Sequence, residues 1–183
     1  MVRNLLLAAL LGGSLAGCAL QAPRPATPVA PAKFGWGHSE RAAAAEARVF
    51  GGTLPLRAGE SKWNTAAPKS GSSELVISLG RQRAWLYRGG ELAAVTTISS
   101  GKIGHESPVG RFPILQKNRF HKSNRYSAAP MPFMQRLNWY GVALHGGEIP
   151  PYAASHGCIR LPMKFAERLY SVTALGTPVW IED

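Results

Sequence analysis

The chain has 183 residues, 45% of them apolar, which is room for one packed domain and a tail and sets it apart from low-hydrophobicity disordered chains. Its 21 Lys and Arg against 10 Asp and Glu give a formal charge of +11. That excess is spread along the chain, with seven basic and three acidic residues over 19–73 and thirteen and seven over 74–183.

The N-terminus reads MVRNLLLAALLGGSLAGC. Arg3 precedes an apolar run from Leu5 to Leu11, and small residues follow; this is the layout of a secretory signal and is too short for a bilayer-spanning helix. Leu15-Ala16-Gly17-Cys18 resembles the lipobox of bacterial lipoproteins, which implies cleavage after residue 17 and lipidation of Cys18. Ala19, rather than Asp, follows it, and by the same resemblance this points to the outer membrane. The expected location is therefore periplasmic, with a lipid anchor holding the domain at a membrane surface. A basic protein in that compartment meets anionic envelope polymers and headgroups; nucleic acid is not an expected partner.

The stretch QAPRPATPVAPAK after Cys18 reads as a Pro/Ala-rich, semi-rigid spacer. His38 to Phe50 is Ala-rich with Ser39 as a candidate N-cap, and predicts a short helix. Gly51 to Ser73 is turn-rich and has no clear period, so 18–73 reads as lipidated Cys plus tether.

From Glu74 the texture changes. Leu75, Ile77 and Leu79 alternate with Val76 and Ser78, the pattern of a half-buried strand. Ala84 to Arg88 is aromatic and strand-like, Gly89-Gly90 is a hairpin signal, and Glu91 to Ser99 continues as a second strand. Gln116 to Pro132 reads as a long irregular stretch, either a lid over a cleft or a solvated loop, with Lys117, Arg119, Lys122 and Arg125 and no acid. Gly141 to His145 predicts a buried strand ending in a histidine. Pro162 suits the start of a helix that carries Phe165, Ala166, Leu169 and Tyr170 on one face, and Val179 to Ile181 reads as a closing strand. Many strands with one or two short helices predict a mainly β domain, a sandwich or partly closed barrel.

The chemistry centres on Ser155-His156-Gly157-Cys158-Ile159-Arg160. If Cys18 is lipidated, Cys158 has no partner for a disulfide, and a lone thiol in an oxidising compartment is a liability unless its reactivity is used. An imidazole beside it can take its proton and leave a thiolate–imidazolium pair. His145, at a strand end, is the rigid candidate base, with the Gly146 carbonyl or, less directly, Glu148 to fix its tautomer. Gly157 lets the loop turn sharply, so that amides of Gly157 and Cys158 can face a developing oxyanion. Arg160 is a candidate for binding a substrate carboxylate or phosphate, with Lys164 one turn away. The alternatives are an inert core thiol, or Zn²⁺ held by His145, His156 and Cys158 with Glu148; their spacing matches none of the usual zinc frameworks.

The segment from His145 through SHGCIR resembles the signature of the L,D-transpeptidase family with the YkuD-type catalytic domain. ELVISLGRQRAWLYRGGELAAVTTISSGK resembles that family's first strands, and SPVGRF the segment after them, so the likeness covers 74–183. The resemblance implies a β-sandwich-like catalytic fold and a peptidoglycan stem peptide as substrate. Cys158 attacks the carbonyl of the third stem residue, D-Ala leaves, and the acyl group passes to an amine: a second stem peptide, an envelope lipoprotein lysine, or else water. By the same resemblance His145 is the base, Gly146 the orienting carbonyl, and His156, Gly157 and Cys158 frame the oxyanion, with Ser155, Arg160 and Tyr152 beside the substrate. No metal or organic cofactor is implied. Only nine residues separate His145 from Ser155, fewer than the family usually has, and Pro150-Pro151 stiffen that connection.

Overall fold

The computed structural model describes residues 37–183; the signal segment, Cys18 and the Pro/Ala-rich stretch lie outside them. Helix α1 (His38–Phe50) comes first, then strands β1 (Ser61–Trp63), β2 (Ser73–Ser78), β3 (Arg83–Arg88), β4 (Glu91–Thr97) and β5 (Gly110–Pro113). Next come β6 (Gln116–Lys122), β7 (Pro130–Arg136), β8 (Ala143–Gly146) and β9 (Ile159–Leu161), followed by α2 (Met163–Val172) and β10 (Pro178–Glu182). The strands form a six-stranded sheet in the order β1-β4-β3-β2-β10-β5 and a four-stranded sheet in the order β6-β7-β8-β9. The mainly β class expected from the sequence is the class observed.

The larger sheet is built on the hairpin that the sequence announces. Gly89 and Gly90 both take positive φ, 55° and 83°, which a two-residue turn of the favoured hand requires. β10 then inserts between β2 and the edge strand β5, parallel to β2, with Val179 beside Leu75 and Ile181 beside Ile77. Leu75, Ile77, Leu86, Val179 and Ile181 face the main core. Leu144, Ile159 and Leu161 of the smaller sheet meet them there, with Phe165, Ala166 and Leu169 of α2.

β2 is not half-buried, as its alternation suggested. Val76 on its other face packs with Trp85, Leu92 and Val95 under Ala42 and Ala45 of α1. The helix covers what would otherwise be the solvent face, so apolar residues occupy both phases of the strand. Residues 37–73 are accordingly part of the folded body rather than tether: α1 roofs the sheet and β1 pairs antiparallel with β4. Three residues of strand gave no period to detect.

α1 starts without the expected Ser39 cap. Ser39 lies inside the helix, and the carboxylate of Glu182, in the last strand, accepts the amides of His38 (2.9 Å) and Ser39 (2.8 Å). A capping group 143 residues away cannot be read from a local pattern. A buried carboxylate on the same helix, Glu46, pairs with Arg83 at 2.6 Å and accepts from Trp85 Nε1 at 2.7 Å, fastening α1 to β3.

The stretch 116–132, expected to be irregular, is mostly a β-hairpin. β6 and β7 pair from Gln116–Arg136 to Lys122–Pro130, skipping Arg119 and Phe133, where Phe133 takes a positive φ of 56°. The register is the same on either side of that unpaired position, and it is Pro130 and Pro132 that argue against a strand. The prolines are tolerated because β8 accompanies only Gln135 and Arg136, leaving the first part of β7 with one partner. Lys117, grouped with the free cations, donates from Nζ to the carbonyls of Tyr170 and Thr173 (2.6 Å each) and so closes the C-terminus of α2. Among the described residues no helix is long and apolar enough to cross a membrane.

Candidate active site

The site is built on the parallel pair β8–β9, where Leu144 lies beside Ile159 and His145 beside Arg160. Side chains alternate across a sheet. Leu144 and Ile159 enter the main core, so their neighbours turn outward. Cys158 packs with Met131, Met134 and Ala143, and His145 and Arg160 face the same side. His145 and Cys158 are thus diagonal neighbours across two strands, thirteen residues apart in sequence, and both line one cavity of about 670 Å³.

His145 is buried, with 9% of its surface exposed. Its Nδ1 lies 2.9 Å from the Gly146 carbonyl oxygen. A carbonyl only accepts, so Nδ1 carries the proton and Nε2 keeps a free lone pair. Burial pushes the imidazole below its ordinary value; the Gly146 bond opposes this, and the positive Arg160 and His121 reinforce it. Cys158 is half-buried, and its thiol donates to the Gly141 carbonyl at 3.4 Å. Burial pushes the thiol above its ordinary value, against the opposing pull of the Ala143 amide, Arg136 and Arg160. Both shifts favour the neutral forms over the thiolate–imidazolium pair expected from the motif, because burial penalises both ions.

The nucleophile loop is held from two sides. Within it, Ser155 Oγ donates to the Cys158 carbonyl and accepts the Gly157 amide at 3.1 Å. That amide, expected to face an oxyanion, is thus already engaged. Gly157 has φ 111°, a conformation side chains rarely adopt, so the turn needs glycine. Outside it, the segment after β4 runs alongside. Ser99 and Arg160 exchange amide–carbonyl bonds (3.1 and 2.9 Å), the Ser155 amide donates to the Ser100 carbonyl (2.9 Å), and Lys102 donates its amide to the Ser155 carbonyl (3.0 Å). Ser107 Oγ receives the Gly101 amide (2.9 Å) and donates to the Gly157 carbonyl (3.0 Å). Gly101 sits so close to the following turn that a Cβ would stand 2.0 Å from the His105 carbonyl oxygen.

Ser99, Ser100, Gly101 and Ser107 were not singled out for this role from the sequence. They lie some fifty residues upstream and act through backbone contacts, and only the small, polar run Ser99-Ser100-Gly101 hints at close approach.

The remaining expected residues divide. Arg160, Ser155, His156 and Glu148 line the cavity, whereas Tyr152 and Lys164 do not. The Tyr152 ring is exposed, and its contribution is a carbonyl that accepts Ser99 Oγ at 2.9 Å. His156 is exposed and lies between His105 and Tyr126, each ring centroid 4.7 Å away. Tyr126 comes from the tip of the β6–β7 hairpin, and Arg125 beside it donates to the Tyr140 carbonyl at 2.8 Å. The hairpin tip therefore forms a wall of the cavity. Among the described residues no three His, Cys, Asp or Glu side chains gather as a metal would require.

Residues 72–181 match the YkuD family, described as an L,D-transpeptidase catalytic domain. Among solved structures, an L,D-transpeptidase from Mycobacterium tuberculosis H37Rv is 21% identical with a TM-score of 0.58, over 61% of this chain and 58% of that one. An L,D-transpeptidase from Stackebrandtia nassauensis is 26% identical with a TM-score of 0.57, over 64% and 58%. A cysteine-to-serine variant of the Enterococcus faecium L,D-transpeptidase is 25% identical with a TM-score of 0.55, over 61% and 50%. The alignments span about half to three-fifths of the length of these structures. Among curated proteins none matches the sequence.

Proposed function

This chain belongs to the YkuD L,D-transpeptidase family, and on that premise we propose that it is a cysteine-dependent acyltransferase acting on peptidoglycan stem peptides. The observation that carries the proposal is that Cys158 lines one cavity with His145, whose Nδ1 is tied to Gly146 and whose Nε2 is free.

The cycle starts from neutral partners. As Sγ of Cys158 attacks the carbonyl carbon of the third stem residue, its proton passes to Nε2 of His145. The imidazolium exists only while the tetrahedral intermediate carries its negative charge, so the buried cation always has a counter-charge. With the Gly157 amide held by Ser155 Oγ, the oxyanion is expected against the backbone amides of His156 and Cys158, on a loop that Ser155 and Ser107 hold in shape before substrate arrives. The intermediate collapses by breaking the bond to the terminal D-Ala nitrogen, which takes the proton from His145. A thioester on Cys158 remains. An acceptor amine then gives its proton to Nε2, attacks the thioester and releases the thiol. Arg136 and Arg160 line the cavity and suit a carboxylate of the stem peptide.

The acceptor is a second stem peptide or a lysine of an envelope lipoprotein. Water in its place gives an L,D-carboxypeptidase. The purified protein is incubated with tetrapeptide stems and its mass measured: a covalent acyl adduct on Cys158 supports the reading. No adduct with stems or with a carbapenem would leave a non-catalytic wall-binding module. Product masses from isolated muropeptides separate crosslinking, protein attachment and trimming. For the location we propose a lipid anchor at Cys18 in the outer membrane; Cys18→Ser is expected to release the protein from the membrane fraction, and its retention there would refute the anchor.

A further inference from the structure

A second cavity, of about 340 Å³, lies apart from Cys158, between the segment after β1, the end of β3 and the last turns of α2. Three cations line it, Lys69, Arg88 and Arg168, and no acid does. Arg168 lies over the Trp63 ring with Cζ 3.7 Å from its centroid. That contact fixes the guanidinium while leaving its edge N–H groups to bind. Arg88 is half-buried, and its Nε is shielded from water without a hydrogen-bond partner. A buried donor without an acceptor is costly, and among the described residues this arginine is not held by a protein partner at that nitrogen. Glu91 stands opposite Arg88 in the β3–β4 register, yet among the described residues none of the three cations makes an ion pair.

We propose that this cavity is a phosphate-binding site, and that its natural ligand is a phosphorylated sugar or a similar small phosphate ester. Two planar guanidinium forks and an ammonium around one space match a dianion with several acceptor oxygens better than a single carboxylate. The volume is within the ~300–1,000 Å³ range of small-ligand sites. Ser171 and Thr65 on its wall offer hydroxyls suited to a sugar. The site shares no lining residue with the Cys158 cavity, so it stands whether or not acyl transfer is the reaction.

The test is isothermal titration of the full-length protein with inorganic phosphate, glucose 1-phosphate and succinate at matched ionic strength. Saturable binding of either phosphate is expected, with Arg88→Gln and Arg168→Gln each weakening it at least ~10-fold, as loss of a charge-assisted hydrogen bond does. Tighter binding of glucose 1-phosphate assigns the phosphosugar, and equal binding assigns phosphate alone. A control, Arg57→Gln with Arg81→Gln, removes one more charge than either cavity variant at exposed positions elsewhere on the surface, and should leave binding within ~2-fold. Should an arginine variant fail to fold, Lys69→Ala at an exposed position carries the test and must weaken binding at least ~3-fold. The proposal is overturned if succinate binds as tightly as the phosphates, if neither phosphate saturates, or if the control weakens binding as much as the cavity variants.

Discussion

His145 is oriented by its own chain neighbour: its Nδ1 lies 2.9 Å from the Gly146 carbonyl oxygen, and no side-chain carboxylate takes part. A backbone acceptor fixes the tautomer as a carboxylate would, but adds no full negative charge to stabilise an imidazolium. Burial is thus the largest influence on His145 and favours its neutral form. Burial likewise favours the protonated Cys158 thiol. In the proposed reaction a proton then moves during attack, rather than a stored thiolate being used.

His145→Ala is expected to slow acylation of Cys158 by at least ~10²-fold, the usual loss on removing a general base. Cys158→Ala should abolish acylation and leave the domain folded. Single-turnover acylation followed by mass, with circular dichroism on each variant, makes the comparison. Full acylation rate in His145→Ala would shift the base to His156.

The two titrations separate in pH. His145 works as a base only when neutral, and its value lies below the ordinary imidazole value of ~6.5, so acylation should persist below that pH and fall only as pH drops through the lowered value. Alkylation by iodoacetamide needs the thiolate itself. Because burial raises the Cys158 thiol, alkylation should stay slow at neutral pH and rise only above the ordinary thiol value of ~8.5. Fast alkylation at pH 6 would mean a preformed ion pair.

Ser155 ties the nucleophile loop by donating to the Cys158 carbonyl and accepting the Gly157 amide. Ser155→Ala removes both bonds and should slow acylation about tenfold while costing ~1–2 kcal/mol of stability. Ser155→Thr keeps the hydroxyl and should recover most of the rate. If the two variants lose stability equally yet acylate at the wild-type rate, the loop is held by Ser107 and Ser100 alone.

Gly101→Ala places a methyl group 2.0 Å from the His105 carbonyl oxygen, which cannot move without shifting the 101–107 turn. The expected cost is at least ~3 kcal/mol, at or beyond the upper end of overpacking effects. Because that turn props the Gly157 carbonyl through Ser107, acylation should fall with it. Urea unfolding midpoints measure the first effect, and a midpoint unchanged from wild type would contradict it.

At Glu182, burial opposes ionisation, but the amides and hydroxyl of Ser39 and the amides of His38 and Gly37 outweigh it, and the carboxyl sits below its ordinary value. A depressed carboxyl contributes stability above its unfolded value, ~4.3, and that contribution is lost as pH falls through the folded value. Glu182→Gln should therefore cost ~1 kcal/mol near neutral pH and progressively less at lower pH, read from thermal unfolding across pH 3–7. A cost independent of pH would mean that the charge on the cap is immaterial.

Much of the fold was open to reading along the chain. The hairpin through Gly89-Gly90, the strand ending at His145, the helix after Pro162 and the closing strand at Trp180 all carry their own local signal, in turn residues and in period. The hairpin of 116–136 did not, because Pro130 and Pro132 speak against a strand in β7, and β6 has a single apolar residue, Phe120, and so no alternation to read. β1 was too short to have one. α1 could be seen as a helix but not as part of the domain, since the group that caps it and the sheet that it covers come from the far end of the sequence.

What the linear order determined by itself is which groups are candidates to react: a cysteine in the SHGCIR loop, a histidine at a strand end, and a glycine carbonyl next to it. Those are properties of residue types and short spacing. How deeply the thiol is buried, how Ser99, Ser100 and Ser107 brace its loop, and where a second cationic cavity opens around Trp63 were decided only in three dimensions. Burial, and backbone contacts across some fifty residues, depend on which surfaces meet, and no local pattern encodes that.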